Sequence, residues 1–431
     1  MTSSAGDLLD LEITGIAHGG TFIARHEGRV VFVSDAVPGE RVRARLSDPA
    51  ADTGTDTRRF WRAETIEVLE ASPHRRSHIW SEADLSRDPA DRVGGADLGH
   101  IELGHQRELK RQVLAEALDK FAGGDIEVPA VTGLDDSDGT GWRTRVTLHV
   151  DEEGTVGPYA ARSHRVVPVS AHPLARSAVA DVAARLRTGA PGRIELVEPS
   201  DGDVRVLHRP AGHPAAGGAR SDREIIHERV RDRAFALDSD GFWQVHPGAA
   251  AALDSTVREM LAGRVDAEAT HLDLYGGVGL FAASLADLGA SDIVTVEADK
   301  RATDHARANL APLDVTAITA RVDRFLGVEG RAPRPSRGRR PRRQAAVPQL
   351  NRDNHIGTVI LDPPRSGAGR EVVDAIAELG PDAIVYVACD PVALSRDLGT
   401  FRGHGWQATE LRAFDLFPHT HHFETIALLS R

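Results

Sequence analysis

The chain has one cysteine in 431 residues, Cys389, and that scarcity excludes an internal disulfide framework and any thiolate-rich metal site. No apolar run approaches the roughly 20 residues that a membrane helix needs, so no membrane partner is expected. The first residues, Met1-Thr2-Ser3-Ser4-Ala5-Gly6-Asp7, carry neither a basic start nor an apolar stretch, so no signal peptide is expected. Together these absences predict a cytoplasmic protein, and a monomer is expected. A surplus of positive charge is missing too. The formal net charge of −12 at pH 7 gives no global support for nucleic-acid binding, although binding follows the local placement of Lys and Arg more than their total.

What is present is ordinary globular usage, with 41% hydrophobic and 27% charged residues. The length points to two or three domains. Residues 1–72 read as five short strands, at 11–14, 21–24, 29–33, 41–46 and 62–68, with Gly19-Gly20, Glu27-Gly28 and Pro38-Gly39 as turn signals. That pattern predicts a small OB-like β-barrel. Residues 73–235 open with a loop-rich stretch and one helix. Leu109, Val113, Ala117, Leu118 and Phe121 mark that helix, and Gly123-Gly124 stops it. From Trp142 onward this region reads as a mixed α+β middle domain without a chemical motif.

Residues 236–431 alternate strand and helix patterns, with strands at 271–275, 292–297, 358–361 and 383–387. The alternation predicts an α/β fold, a parallel sheet with helices on both faces. An insertion near 327–355 interrupts it: Arg331 to Arg343 holds seven Arg, three Pro and no acidic residue. Such a composition reads as disordered, or as a holder of RNA phosphates.

Four motifs carry chemistry. In Leu272-Asp273-Leu274-Tyr275-Gly276-Gly277-Val278-Gly279 a strand runs into a glycine-rich turn, where the backbone can approach a ligand closely. Glu297 ends the next strand, where an acid can accept hydrogen bonds from ribose hydroxyls. Gly277, Gly279 and Ala282 also fit the dinucleotide fingerprint, so a nicotinamide-dependent oxidoreductase is a rival reading. The second motif, Asp362-Pro363-Pro364-Arg365, follows an apolar strand that delivers Asp362 to the sheet's carboxyl edge. In the third, Ala388-Cys389-Asp390-Pro391, the thiol sits before a helix whose N-terminus favours the thiolate. A buried, inert cysteine is the plain alternative. The fourth runs from Asp415 to Glu424 and contains His419, His421 and His422. These histidines lack the pairing of a metal site, so no metal is expected, and Glu424 reads as a general base.

With these residues in place, the chain resembles the RNA uracil-5-methyltransferases that carry an N-terminal TRAM domain. Asp-Pro-Pro-Arg at 362–365, Cys-Asp-Pro at 389–391 and Phe-Pro-His-Thr at 417–420 with His422 and Glu424 carry the resemblance. Phe242-Trp243-Gln244-Val245-His246-Pro247 is similar to the family's glutamine motif, and Gly15 to Gly20 with Val37 to Glu40 is similar to TRAM domains. The resemblance implies a Rossmann-like class I methyltransferase domain and S-adenosyl-L-methionine as cofactor. It implies cofactor contacts at Gln244, Tyr275, Gly277, Gly279, Glu297 and Asp362, a nucleophile at Cys389 and a base at Glu424. Phe242 and Arg365 fall to the RNA substrate, ribosomal RNA or tRNA. His246 stands where the family usually has asparagine, and Leu280 replaces a polar residue. Many members bind an iron–sulfur cluster after the barrel. Here Val93 and Ala96 occupy thiol positions, and one cysteine cannot hold four-thiolate iron, so no iron–sulfur cluster is expected. A catalytically silent RNA-binding protein is the remaining alternative.

Overall fold

The strand patterns of the N-terminus close into a barrel in the order Leu8–Ala17, Thr21–His26, Arg29–Ser34, Phe60–Glu70 and Arg41–Asp48, the last pairing back to the first. This computed structural model describes residues 6–48, 60–187, 190–212, 224–328 and 354–431. The Arg-rich segment from Arg331 to Arg343 lies outside the described residues.

Period-2 alternation explains the barrel. Phe22 and Ala24, Val31 and Val33, and Val42, Ala44 and Leu46 all point inward and are buried. A two-residue turn at Glu27-Gly28, with both φ values positive, joins His26 to Arg29 in the hairpin. Glu40 is fully buried and binds Arg75 through both oxygens, tying the barrel to the chain that follows.

The middle region forms a sheet in the order Arg205–Pro210, Gly192–Val197, Arg145–Val150 and Val156–Gly157, with the helix Ser177–Arg185 packed against it. A hairpin, Ile225–Val230 and Arg233–Asp238, leads into the last domain.

That domain contains an eight-stranded sheet in the order Val315–Thr319, Asp292–Glu297, Thr270–Leu274, Ile356–Leu361, Ala383–Ala388, Glu424–Ser430, Gln407–Phe414 and Val131–Thr132. The strands Thr270–Leu274, Ile356–Leu361 and Ala383–Ala388 are buried at every position, as helices on both faces require. Two features differ from a purely parallel expectation. Glu424–Ser430 is inserted antiparallel between its neighbours. The edge strand Val131–Thr132 comes from the middle of the sequence and pairs parallel with Gln407–Phe414. The preceding helix, Leu103–Ala117, also packs here: Leu114, Leu118 and Ala122 share a core with Tyr386, Phe401 and Trp406. Its apolar stripe, read from sequence as part of the middle region, is shared between two cores: Leu109 and Val113 pack with the barrel, and Leu118 with the C-terminal domain.

Candidate active site

Four strands of the parallel set end at one edge of the sheet, and each delivers a polar group there. Thr270–Leu274 leads to the glycine turn, Asp292–Glu297 ends on Glu297, Ile356–Leu361 precedes Asp362, and Ala383–Ala388 precedes Cys389. Because Glu424–Ser430 runs the other way, it begins at that same edge. Its register pairs Ala388 with Thr425 and Val387 with Ile426. One further step sets Cys389 opposite Glu424.

The electrostatics agree with that register. Burial, and then the nearby Glu424 and Asp362 carboxyls, push the Cys389 thiol up to about 12. This overturns the expectation of a thiolate stabilised by the helix Pro391–Gly403. Desolvation and the carboxyl neighbours outweigh the opposing effect of Arg365. Glu424 is 3% exposed. Burial, then the Asp362 charge, raise its carboxyl well above the usual range, while Arg365 lowers it. Asp362 is raised in turn by burial and by Asp273. Cys389, Glu424, Asp362 and Asp273 therefore form one connected acidic cluster, with Arg365 as a cation acting on Cys389 and Glu424.

The thiol opens into a pocket lined by Arg365, Asp390, His422, Phe423 and the barrel residues 16–20. Arg365 Nη2 lies 3.2 Å from His422 Nε2. Among the described residues no group of three or more metal-binding side chains occurs. The polar residues of the 415–424 segment are instead engaged by protein partners, Asp415 by Arg107 Nε at 3.4 Å as well as by Lys110. Asp415 is buried with Lys110 Nζ at 2.5 Å. His419 meets the Gln106 amide at 3.0 Å, and His421 lies 2.7 Å from Asp97. Of these anchors, Gln106 and Lys110 lie far from any motif singled out in the sequence. Their signal was a charged or amide side chain on the helix face that carries the apolar stripe.

The glycine turn leaves room for a ligand. Gly277 has φ +55, and a Cβ there would meet nothing within 4 Å, so open space lies over the backbone. Gly279, with φ +98, also lets the turn pack closely: a Cβ there would lie 2.6 Å from Leu310. Tyr275 also adopts a left-handed φ, of 63°, and is half-buried. The Glu297 carboxylate accepts from Gly277 N at 3.1 Å and from Asp299 N at 2.7 Å, which holds it at the turn. Asp273 Oδ1 is buried without a partner, while Oδ2 accepts from Thr295 and Ala282 N. The signal for Asp273 was an acid inside an apolar strand pattern, which sequence reasoning passed over.

Gln244 and Phe242 stand apart. Neither lines the Cys389 pocket. Phe242 is 79% exposed, and Gln244 is half-buried. Their segment joins two regions, since Trp243 packs on Phe235 and Val245 O accepts from Thr144 of the middle sheet. Leu280, expected to lose a polar contact, packs against the core that contains Phe281 and Leu285.

A doubly wound sheet with one inserted antiparallel strand, a glycine turn and an acid on the next strand defines an S-adenosylmethionine-dependent methyltransferase domain. Comparison with known proteins gives the family. A profile described as tRNA (Uracil-5-)-methyltransferase matches residues 224–431, and a TRAM domain matches residues 3–52. A Streptomyces avermitilis protein named as an uncharacterized RNA methyltransferase is 37% identical, over 98% of each chain. A 23S rRNA (uracil(1939)-C(5))-methyltransferase of Shewanella sediminis is 26% identical, over 97% of this chain and 95% of its own. The crystal structure of Pyrococcus abyssi tRNA (uracil-54, C5)-methyltransferase in complex with S-adenosyl-L-homocysteine shares the fold. Its TM-score is 0.66 at 21% identity, covering 98% of this chain and 100% of that one. The chain belongs to the TRAM-domain RNA uracil-5-methyltransferase family and is an S-adenosylmethionine-dependent enzyme acting on RNA. The nicotinamide-dependent and catalytically silent readings are not favoured by that assignment. Among the described residues no helix is long and apolar enough to cross a membrane.

Proposed function

We propose that the chain methylates carbon 5 of one uridine in ribosomal RNA or tRNA through a covalent adduct on Cys389. The observation that carries this reading is the antiparallel register that sets Cys389 opposite Glu424 at the edge where Asp362 and the glycine turn also end.

Carbon 5 of uracil is a poor nucleophile, so the ring must be activated first. The Cys389 thiol loses its proton to solvent, the thiolate Sγ bonds to carbon 6, and the carbon 5–carbon 6 pair moves into the ring as an enolate. S-adenosyl-L-methionine, when bound, would supply the electrophilic methyl for carbon 5 and leave as S-adenosyl-L-homocysteine. The Glu424 carboxylate then removes the proton left on carbon 5. The double bond re-forms, the carbon 6–sulfur bond breaks, and Cys389 is returned. Burial holds the Cys389 thiol up at about 12 and raises the Glu424 carboxyl well above its usual range, so ionisation of each is opposed in the resting protein. Arg365 favours both ionisations.

We assign Gln244, Tyr275, Gly277, Gly279, Glu297 and Asp362 to the cofactor, Glu297 to its ribose. Arg365 and Phe242 are assigned to RNA, the exposed Phe242 as a stacking surface. The target uridine must be unpaired or flipped out to reach the thiol.

Labelled cofactor and total RNA test the reading. Cys389→Ala should abolish both methylation and adduct. Glu424→Gln should allow attack and methyl transfer but stall elimination, giving a slow RNA-linked band on a denaturing gel that the double variant loses. Full activity in Cys389→Ala would overturn the mechanism. Mapping 5-methyluridine in both RNA classes from a deletion strain identifies the substrate.

A further inference from the structure

The pocket that opens onto Cys389 is not built by the methyltransferase domain alone. Residues 16–20, at the first turn of the barrel, form one of its walls. The approach is close: Gly20 has φ +73, and a Cβ there would lie 2.8 Å from His421 Cβ. Beside it, His18 Nε2 lies 2.9 Å from Asp390 Oδ2. Asp390 is the residue next to the thiol, and its other oxygen, Oδ1, caps the helix Pro391–Gly403 by accepting from Val392 N at 3.1 Å and Ala393 N at 2.8 Å. One carboxylate thus joins the nucleophile's helix to the barrel. Each of its oxygens has a separate task.

We propose that His18 is a positioning residue for the methyl-transfer reaction, holding Asp390 and through it the backbone that presents Cys389. The inference rests on the reading of Cys389 as nucleophile. It makes the barrel part of the active site as well as a grip on RNA. His18 is half-exposed, and an ion pair of that exposure contributes little to stability. Its effect belongs to geometry: displacing a reacting group by about 1 Å costs about 100-fold in rate.

The test uses the full chain and a transcript of the mapped RNA carrying 5-fluorouridine at the target. The methylated adduct persists on that probe, because carbon 5 then has no proton to lose. At saturating RNA, His18→Ala should slow adduct formation by about tenfold or more, with RNA affinity and thermal midpoint unchanged. His18→Gln, which keeps a hydrogen-bond donor, should recover most of the rate. Gly20→Val should slow the same step by prising the turn from His421. A His18→Ala variant that matches wild type, or one that loses only RNA affinity, overturns the inference and leaves the Cys389 mechanism standing. Failure of the wild type itself to form the adduct overturns both.

Discussion

The glycine turn at 275–279 and the histidine-rich segment at 415–424 look equally chemical as sequences, yet they are built in opposite ways. The turn is a backbone device. Its function comes from left-handed φ values at Tyr275, Gly277 and Gly279 and from the open space above Gly277. The segment is a side-chain device. Asp415, His419 and His421 are spent on Lys110, Gln106 and Asp97, which fix the loop to the helix Leu103–Ala117 and to the chain before it. His422 instead lines the Cys389 pocket beside Arg365, and Glu424 is the residue we assign to chemistry. A dense polar signature therefore marks how a catalytic group is held as much as the group itself.

The largest expected effect breaks that comparison on the side of the histidine segment. Lys110 and Asp415 are both essentially removed from water, at 1% and 0% side-chain exposure. Asp415→Ala leaves the ammonium buried without its counter-charge, which costs about 3–5 kcal/mol. Thermal melts should show a large loss. The apolar replacement Lys110→Met with Asp415→Leu should recover most of it, because removing both charges ends the desolvation penalty. An Asp415→Ala variant as stable as wild type would mean that the segment is not anchored as described.

The second effect sits at the turn and should leave the fold alone. Glu297→Gln keeps a side chain of the same shape beside Gly277 but removes the charge offered to the ribose. Loss of one charge-assisted hydrogen bond is worth about 1.5 kcal/mol, or about tenfold in cofactor affinity. Calorimetric titration with S-adenosyl-L-homocysteine should show that weakening, with a melting temperature lowered far less than by Asp415→Ala. A stability loss comparable to that of Asp415→Ala would erase the distinction between the two regions.

The same contrast explains what could be read before the fold was in hand. The strands that carry the turn, Asp362 and Cys389 were legible because their apolar runs end at polar or glycine punctuation. The strand Gln407–Phe414 was not, because Glu410 and Arg412 break its apolar pattern. Nor was the edge strand Val131–Thr132, whose two residues belong to the sheet only through pairing with a segment about 280 residues away. The thiol's ionisation was misjudged for a related reason. The helix N-terminus is visible in Asp390-Pro391, whereas the carboxyls that oppose it arrive from Asp362 and Glu424, on other strands. His18 stood inside the Gly15 to Gly20 stretch that resembles TRAM domains, and no sequence pattern indicates that the barrel reaches Asp390.

The smallest expected effect concerns a third region, built from side chains like the histidine segment but from apolar ones. Val93 and Ala96, the pair weighed in the sequence as cluster positions, are buried in a satellite core with Trp80, Ala83, Trp142, Ala160, Val167 and Leu174. Such a core is held by area removed from water and by close packing. Its loss on truncation is graded, unlike the loss of a charge partner. Val93→Ala removes two methyl groups and should cost about 1–2 kcal/mol, well below Asp415→Ala. The melting temperature should also be indifferent to a chelator and to dithionite, since a packed hydrocarbon core has no ligand bond to break. A fall in the melting temperature on chelation, or iron co-purifying in stoichiometric amount, would show that something other than this apolar packing holds the region together.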